Sequence, residues 1–116
     1  MELKDFVRIK GGKRLPKGEM LTSNITNHPY IKVKDMEPKV IDLNDKFEYV
    51  TDKVFDSIKS YIVNSGDVIL SIVGTIGNVS IIGETLNNAS LTENCVKLIC
   101  NENLESKYLF YYLLHN

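Results

Sequence analysis

The chain has 116 residues, of which 43% are hydrophobic and 25% are charged, and its formal net charge is −1 at pH 7. The length predicts one globular domain that spans residues 1–116. Near-neutrality excludes a uniformly basic nucleic-acid coat and an acidic disordered tail. The sequence shows no signal peptide and no apolar run near the roughly 18 residues that span a bilayer, so we expect a cytoplasmic protein with no membrane partner.

The charge is unevenly distributed along the chain. Residues 1–40 carry nine basic and five acidic side chains, a net charge of +4, whereas residues 41–116 carry five basic and ten acidic ones, a net charge of −5. Such asymmetry indicates a contact with a polyanion on one face of the domain. Chance scatter of surface charge is the alternative interpretation.

The first third of the chain predicts a short apolar segment, a loop and a strand. Residues 3–9 form either a helical turn or an edge strand, and residues 10–18, with three glycines and one proline, form a loop. In residues 30–34 the side chains alternate, with Ile31 and Val33 on one face. This alternation predicts a half-buried strand whose other face is basic and aromatic.

The rest of the chain predicts further strands and two helices. Residues 40–43 form a short strand, and Thr51 caps a helix that runs through about Ser60. The apolar, β-branched residues 68–73 form a central strand, and residues 78–82 return as the second strand of a hairpin. Residues 83–90 form a polar loop and residues 91–100 a strand, and Asn103 caps a helix over residues 104–114. These elements predict a single α+β domain with a twisted mixed or antiparallel β-sheet, a central β-hairpin and about two α-helices.

Motifs for catalysis and metal binding are missing from the sequence. Gly11-Gly12-Lys13 is followed by Arg14, where a P-loop needs Ser or Thr, and no His-Glu-x-x-His or Gly-x-Ser-x-Gly occurs. Cys95 and Cys100 lie on opposite faces of a strand, which predicts buried free thiols instead of a disulfide or zinc site. A magnesium-dependent nuclease has no support in paired carboxylate spacing, so we expect no catalytic residues, no metal and no cofactor on this chain.

Five blocks of the sequence occur in an order that resembles a known family. They are Gly12-Lys-Arg-Leu-Pro-Lys-Gly18, Pro29-Tyr-Ile-Lys-Val-Lys-Asp35, Gly66-Asp-Val-Ile-Leu-Ser-Ile-Val-Gly-Thr-Ile-Gly77, Leu91-Thr-Glu-Asn94 and Lys107-Tyr-Leu-Phe-Tyr-Tyr-Leu113. In this order they resemble the target recognition domain of type I restriction-modification specificity subunits. The resemblance covers almost the whole chain, and the third block is its most specific part.

The resemblance implies a non-catalytic domain that reads one half of a split double-stranded DNA target. The implied partners are an adenine methyltransferase subunit, which binds S-adenosylmethionine, and the restriction subunit. In the family a subunit usually has two such domains, each followed by a long helix, and the paired helices set the half-site spacing and dock the methyltransferases. This chain ends inside or just after its last helix, so we expect an incomplete domain without that spacer helix and with its dimerisation helix missing.

Candidate DNA contacts lie mainly in the basic first third of the chain. Lysine and arginine neutralise phosphates, whereas arginine suits guanine, asparagine suits adenine, and a tyrosine ring can stack or bond a phosphate. Residues 74–77 predict a tight turn first and a DNA-facing loop tip second. The predicted DNA-binding residues are Lys10, Lys13, Arg14, Lys17, Asn24, Asn27, Tyr30, Lys32, Lys34, Thr75 and Asn78.

A second interpretation stays open at this point. The helix predicted over residues 104–114 is apolar on nearly all sides, which indicates deep burial or a protein partner. The chain would then be an antirestriction or inhibitory module that binds the methyltransferase subunit without reading DNA.

Overall fold

The computed structural model describes residues 7–37, 39–72, 78–100 and 106–114. Within these residues, two α-helices and a short 3-10 helix accompany nine strands. The helices are α1 (Asp52–Ile58), α2 (Ser106–Leu114) and the 3-10 helix (Val33–Met36). The strands are β1 (Val7–Gly11), β2 (Pro29–Ile31), β3 (Val40–Ile41), β4 (Glu48–Tyr49), β5 (Ile62–Val63), β6 (Val68–Ser71), β7 (Val79–Ile82), β8 (Ala89–Leu91) and β9 (Cys95–Cys100).

The strands form two sheets. One has five strands in the order β1-β9-β6-β7-β3, and the other has four in the order β4-β2-β8-β5. Most neighbours are antiparallel, and the pairs β2–β8 and β3–β7 are parallel. The predicted α+β class with mixed pairing is confirmed, with the strands divided between two sheets.

The two sheets pack face to face and each carries a helix on its outer face. Ile31 and Leu91 of the four-stranded sheet and Ile69 and Ile82 of the five-stranded sheet belong to one buried cluster, the main core. A second cluster joins β2 to α1 through residues that include Tyr30, Val54 and Ile58. A third cluster joins the five-stranded sheet to α2, with Val68, Leu98, Leu109 and Phe110 buried. Because side chains alternate along a strand, α1 and α2 lie on opposite outer faces of the sandwich.

Two elements with strong local signals form where they were predicted. The hydroxyl of Thr51 accepts a hydrogen bond from the backbone N–H of Val54 at 3.3 Å, which caps α1. Strands β6 and β7 pair antiparallel, with Val68 opposite Ile81, and this confirms the hairpin. The hairpin's turn, residues 73–77, lies outside the described residues. No helix among the described residues is long and apolar enough to cross a membrane.

The strand predicted over residues 30–34 is wrong beyond Ile31. The side chain of Asp35 accepts a hydrogen bond from the backbone N–H of Lys32 at 2.9 Å, so the chain turns into the 3-10 helix instead of continuing in the sheet. All three residues of β2 are buried because the main core covers one face and the α1 cluster covers the other. The predicted basic and aromatic strand face therefore does not form.

The strand predicted over residues 91–100 is two strands in different sheets. Strand β8 ends at Leu91 in the four-stranded sheet, and β9 starts at Cys95 in the five-stranded sheet. Between them, the backbone N–H of Cys95 donates to the Thr92 carbonyl at 3.2 Å, which closes a turn. The polar loop predicted over residues 83–90 accordingly ends before Ala89, and Lys10 and Gly11 belong to β1 instead of the following loop.

Candidate nucleic-acid interface

The backbone that follows β1 is fixed to the corner where β8 passes into β9. The N–H of Gly12 donates to the carbonyl of Cys95 at 3.0 Å, and the N–H of Lys13 donates to the carbonyl of Leu91 at 2.8 Å. From the other side, the hydroxyl of Tyr30 donates to the carbonyl of Lys13 at 2.8 Å. These three bonds hold the glycine-rich segment in one position on the sheet.

The side chains of this segment separate by polarity. Leu15 and Leu21 pack against the apolar cluster under α1, whereas Lys13, Arg14 and Lys17 are exposed. The ammonium of Lys13 lies 5.7 Å from the centroid of the Tyr61 ring, within range of a cation–π contact. Burial of the leucines therefore turns the cations towards solvent.

Strand β1 extends this basic surface beyond the edge of the four-stranded sheet. Lys10 pairs with Lys97 across β1 and β9, so both side chains lie on one face of the sheet. The ammonium of Lys97, in β9, donates to the carbonyl of Ile62 in β5, the edge strand of the other sheet, at 2.8 Å. Strand β1 is the neighbour of β9 and therefore lies beyond that edge, and its Arg8, Ile9 and Lys10 are all exposed.

We call the resulting exposed cations the basic strip: Arg8, Lys10, Lys13, Arg14 and Lys17. No Asp or Glu occurs between the first and the last of them in the sequence. Such a strip is suited to contact several phosphates of one backbone.

A second loop, residues 22–28, lies beside the first and is tied down at both ends; we call it the anchored loop. Thr22 and Tyr49 exchange two backbone hydrogen bonds of 2.9 Å each. The hydroxyl of Thr26 donates to the carbonyl of Val50 at 2.7 Å and accepts from the N–H of His28 at 3.1 Å. With these inward contacts made, the loop presents Asn24, Ile25 and Asn27 to solvent.

The end of the anchored loop is locked against α1 by His28. Its ring stacks on Phe55 with centroids 4.0 Å apart and planes inclined by 13°. Its Nε2 lies 2.7 Å from Oδ1 of Asp52 in the first turn of the helix. These contacts fix the position of the neighbouring Asn27.

Next to Asn27 opens a groove of about 470 Å³, which we call the amide groove. Its lining residues are Asn27, His28, Phe55, Lys59, Ile62, Asn87 and Asn88. The loop that carries the last two is held by hydrogen bonds from Ser65 N–H to Asn87 Oδ1, at 3.1 Å, and from Asn88 N–H to Asn64 Oδ1, at 2.8 Å. Asn88 has a left-handed backbone, with φ of 54°, which asparagine tolerates better than most residues.

Not all of the predicted DNA-binding residues lie on this surface. Tyr30 is only 4% exposed, and burial raises the pKa of its hydroxyl. Lys34 lies with Asp35, Glu37 and Asp45 around a separate groove. Asn78 is exposed where the hairpin returns, and Thr75 lies outside the described residues.

Lys32 is paired with a carboxylate instead of facing open solvent. Its ammonium donates to Oε1 of Glu48. Burial lowers the pKa of Lys32, but the hydrogen bond and the negative charge of Glu48 outweigh burial and raise it. The same hydrogen bond lowers the pKa of Glu48, whereas burial raises the pKa of Asp35. DNA contact by Lys32 and Lys34 stays a prediction.

The described residues offer no metal site. In this part of the chain no three His, Cys, Asp or Glu side chains converge to hold an ion. The thiol of Cys95 is free and buried, as predicted for a core cysteine, and burial raises its pKa to about 11. The prediction for Cys100 falls on a side chain outside the described set.

Five residues of this surface were not predicted: Arg8, Ile25, Lys59, Asn87 and Asn88. Asn87 and Asn88 stand in a polar stretch of the sequence, which predicts a loop but no role for it. Arg8 contributes to the basic excess of residues 1–40, and that excess is the signal that could have singled it out. Ile25 stands among the polar residues Thr22, Ser23, Asn24, Thr26 and Asn27, which predict a loop but no role for an apolar side chain.

A sandwich with exposed cations along one side has the features expected of a DNA-recognition domain. Residues 1–116 match the family model described as the type I restriction modification DNA specificity domain. The chain therefore belongs to this family, whose members recognise DNA and are not catalytic, and the resemblance drawn from the sequence blocks is confirmed. Membership does not favour the alternative of an inhibitory module. The comparison with curated proteins found no match.

Two solved structures share the fold over nearly the whole chain. The first, from work on complex assembly and conformational transition of the type I R-M system, superposes with a TM-score of 0.74 at 16% identity over 99% of this chain. The second, the crystal structure of the HsdS subunit from Thermoanaerobacter tengcongensis, gives 0.73 at 17% identity over 97%. The chain spans about a quarter of the length of each, 26% in both cases.

Proposed function

We propose that this domain reads one half of a split double-stranded DNA target for an adenine methyltransferase in the cytoplasm. S-adenosylmethionine belongs to the methyltransferase subunit in this proposal, and a restriction subunit joins the same complex. The observation that carries the proposal is the basic strip, fixed by backbone hydrogen bonds beside the anchored loop on one face of a DNA specificity domain.

In this proposal the basic strip supplies affinity for DNA, and the anchored loop reads the base sequence. The basic strip neutralises phosphates and sets the position of the duplex, which gives binding without sequence preference. The anchored loop presents amide and apolar groups beside it, and such groups distinguish bases through their edges. The hydrogen bonds that fix the anchored loop favour this role, because a side chain reads a base edge only when it is held in position relative to the duplex.

The opposite face of the sandwich suits a protein partner. There α2 buries Leu109 and Phe110 against the five-stranded sheet and leaves Tyr108 and Tyr111 exposed. Exposed tyrosines are typical of protein interfaces, because the ring is apolar and the hydroxyl forms hydrogen bonds. We therefore assign DNA to the α1 face and the methyltransferase subunit to the α2 face.

The test is fluorescence anisotropy of a labelled pool of random duplexes between 50 and 200 mM salt. The charge reversal Lys13→Glu/Arg14→Glu should lower affinity at least tenfold and flatten the plot of log K against log salt by about two units. The matched control is Lys39→Glu/Lys46→Glu, which makes the same charge change at exposed positions near β3 and β4. Strand β3 is the edge opposite β1 in its sheet, and neither lysine belongs to the basic strip or the anchored loop.

The expected result is salt-dependent binding by the unaltered chain and by the control, and its loss in the first variant. Three results would overturn the proposal. They are absence of binding at 50 mM salt, an affinity that does not change with salt concentration, and equal losses of affinity in both variants.

A further inference from the structure

We infer that Ile25 and the asparagines of the amide groove are the residues that recognise A·T base pairs in the half-site. The inference rests on the proposed function and adds which residues read these bases. It follows from the chemistry of the groups that the fold presents next to the basic strip.

The reading groups come together at Asn27. This residue lines the amide groove with Asn87 and Asn88, and it also lines a shallower depression with Ile25 at the N-terminal end of α1. The two openings therefore share one wall. A base pair placed at this wall meets carboxamides on one side and a branched apolar side chain on the other.

Carboxamides and an apolar tip match adenine and thymine. A carboxamide both donates and accepts, so it pairs with N6 and N7 of adenine through two hydrogen bonds. An apolar side chain matches the methyl group that only thymine carries in the major groove. Guanine favours arginine or lysine, and among the residues that line the two openings only Lys59 is of this kind, against three asparagines.

Ile25 is exposed because its neighbours are tied down. It is 84% exposed although Thr26, the next residue, is bonded to the backbone of Val50. On the other side, the N–H of Asn24 donates to the hydroxyl of Thr22 at 3.0 Å. The loop thus holds a large apolar group in water, and a thymine methyl group would cover it.

Two acidic side chains near the openings have protein partners. Asp52 lines the depression beside Ile25 and is bonded to His28, with its side chain still 91% exposed, and Glu19 lies 3.5 Å from the ammonium of Lys53. The other polar groups that line the two openings are the three asparagine amides, two threonine hydroxyls, the ring of His28 and the ammonium of Lys59. Amides therefore outnumber charged groups there.

The first experiment is selection of bound duplexes from a random pool, followed by sequencing. The unaltered chain should enrich A·T pairs at adjoining positions, and Ile25→Ala, Asn27→Ala and Asn88→Gly should each relax the preference there about 5- to 100-fold. Glycine is chosen at position 88 because it accepts the left-handed backbone. The control Asn44→Ala removes an exposed amide from a different groove.

The second experiment tests the contacts atom by atom in the enriched duplex. Deoxyuridine in place of thymidine removes only the methyl group, so it should weaken binding by the unaltered chain and have no further effect on Ile25→Ala. By the same reasoning, 7-deazaadenine removes the N7 acceptor and should have no further effect on Asn27→Ala.

Variants that leave the enriched motif unchanged, or base analogues that weaken the variants as much as the unaltered chain, would overturn the inference while leaving the proposed function standing. Binding without sequence preference, a motif made only of G·C pairs, or absence of salt-dependent binding by the unaltered chain would instead overturn the proposed function itself.

Discussion

Gly12 lies so close to the backbone of Thr92 that no side chain fits between them. A Cβ atom at Gly12 would lie 2.0 Å from the carbonyl oxygen of Thr92 and 2.5 Å from that of Leu91. Backbone atoms cannot turn aside as a flexible side chain can. The close approach of the glycine-rich segment to the β8–β9 corner therefore requires glycine at this position, and the position of the basic strip depends on it.

Gly12→Ala should displace the start of the basic strip. We expect it to lower the free energy of unfolding by about 2 kcal/mol or more, because the backbone must shift and lose its hydrogen bonds to Cys95 and Leu91. DNA affinity should fall with it. Urea unfolding and fluorescence anisotropy measure the two effects.

The neighbouring Gly11 gives the matched control. A Cβ there meets nothing within 4 Å, so Gly11→Ala should change stability by no more than about 0.5 kcal/mol. Equal effects of the two substitutions would contradict the packing described here.

Tyr30→Phe should loosen the same segment without disturbing the core. The ring stays buried, and the hydroxyl's hydrogen bonds to the carbonyl of Lys13 and with the side chain of Thr92 are lost, so we expect a loss of about 1–2 kcal/mol. Tyr108→Phe is the control, because that hydroxyl belongs to a side chain that is 66% exposed. Hydrogen exchange at the amide of Lys13 should become faster in the first variant alone. Unchanged exchange there would show that the hydroxyl does not hold the segment.

The correctly predicted elements are those whose sequence patterns lie within a few consecutive residues. The cap at Thr51 and the apolar stripe of α1 are local, as is the β-branched run that places β6 at the centre of its sheet. The cations at positions 13, 14 and 17 are exposed as predicted, because a segment with so many glycines cannot be buried as regular structure.

The remaining features depend on contacts that sequence periodicity does not encode. The predicted strand over residues 91–100 changes sheet between Leu91 and Cys95. The predicted strand over residues 30–34 ends early because the N–H of Lys32 donates to the side chain of Asp35. The amide groove joins Asn27 to Asn87, which are 60 positions apart. The contacts of His28 with α1 and the hydrogen bonds of Asn87 and Asn88 with the Asn64–Ser65 turn bring them together, so no local pattern could predict the groove.

The buried thiol of Cys95 should make the domain less stable at alkaline pH. Burial raises the thiol pKa from 9.0 to about 11 in the folded state, so between these values the unfolded chain loses a proton that the folded chain keeps. The raised pKa therefore contributes stability that is fully present below pH 9 and is lost as the pH approaches 11. The loss reaches about 1.4 kcal/mol per pH unit within the window.

Cys95→Ala removes this titration and isolates its contribution. We expect the variant to be less stable at pH 7, because it leaves a cavity beside Met36, whose sulfur lies 3.4 Å from the thiol. Its free energy of unfolding should then fall less steeply between pH 9 and 10. Tyr30 and Lys32, whose pKa values are also raised in the folded state from 10.0 and 10.5, add their main losses above this range and add them equally to the variant and the unaltered chain. Urea unfolding at several pH values measures both slopes. Parallel profiles for the variant and the unaltered chain would show that the Cys95 thiol is not the group responsible.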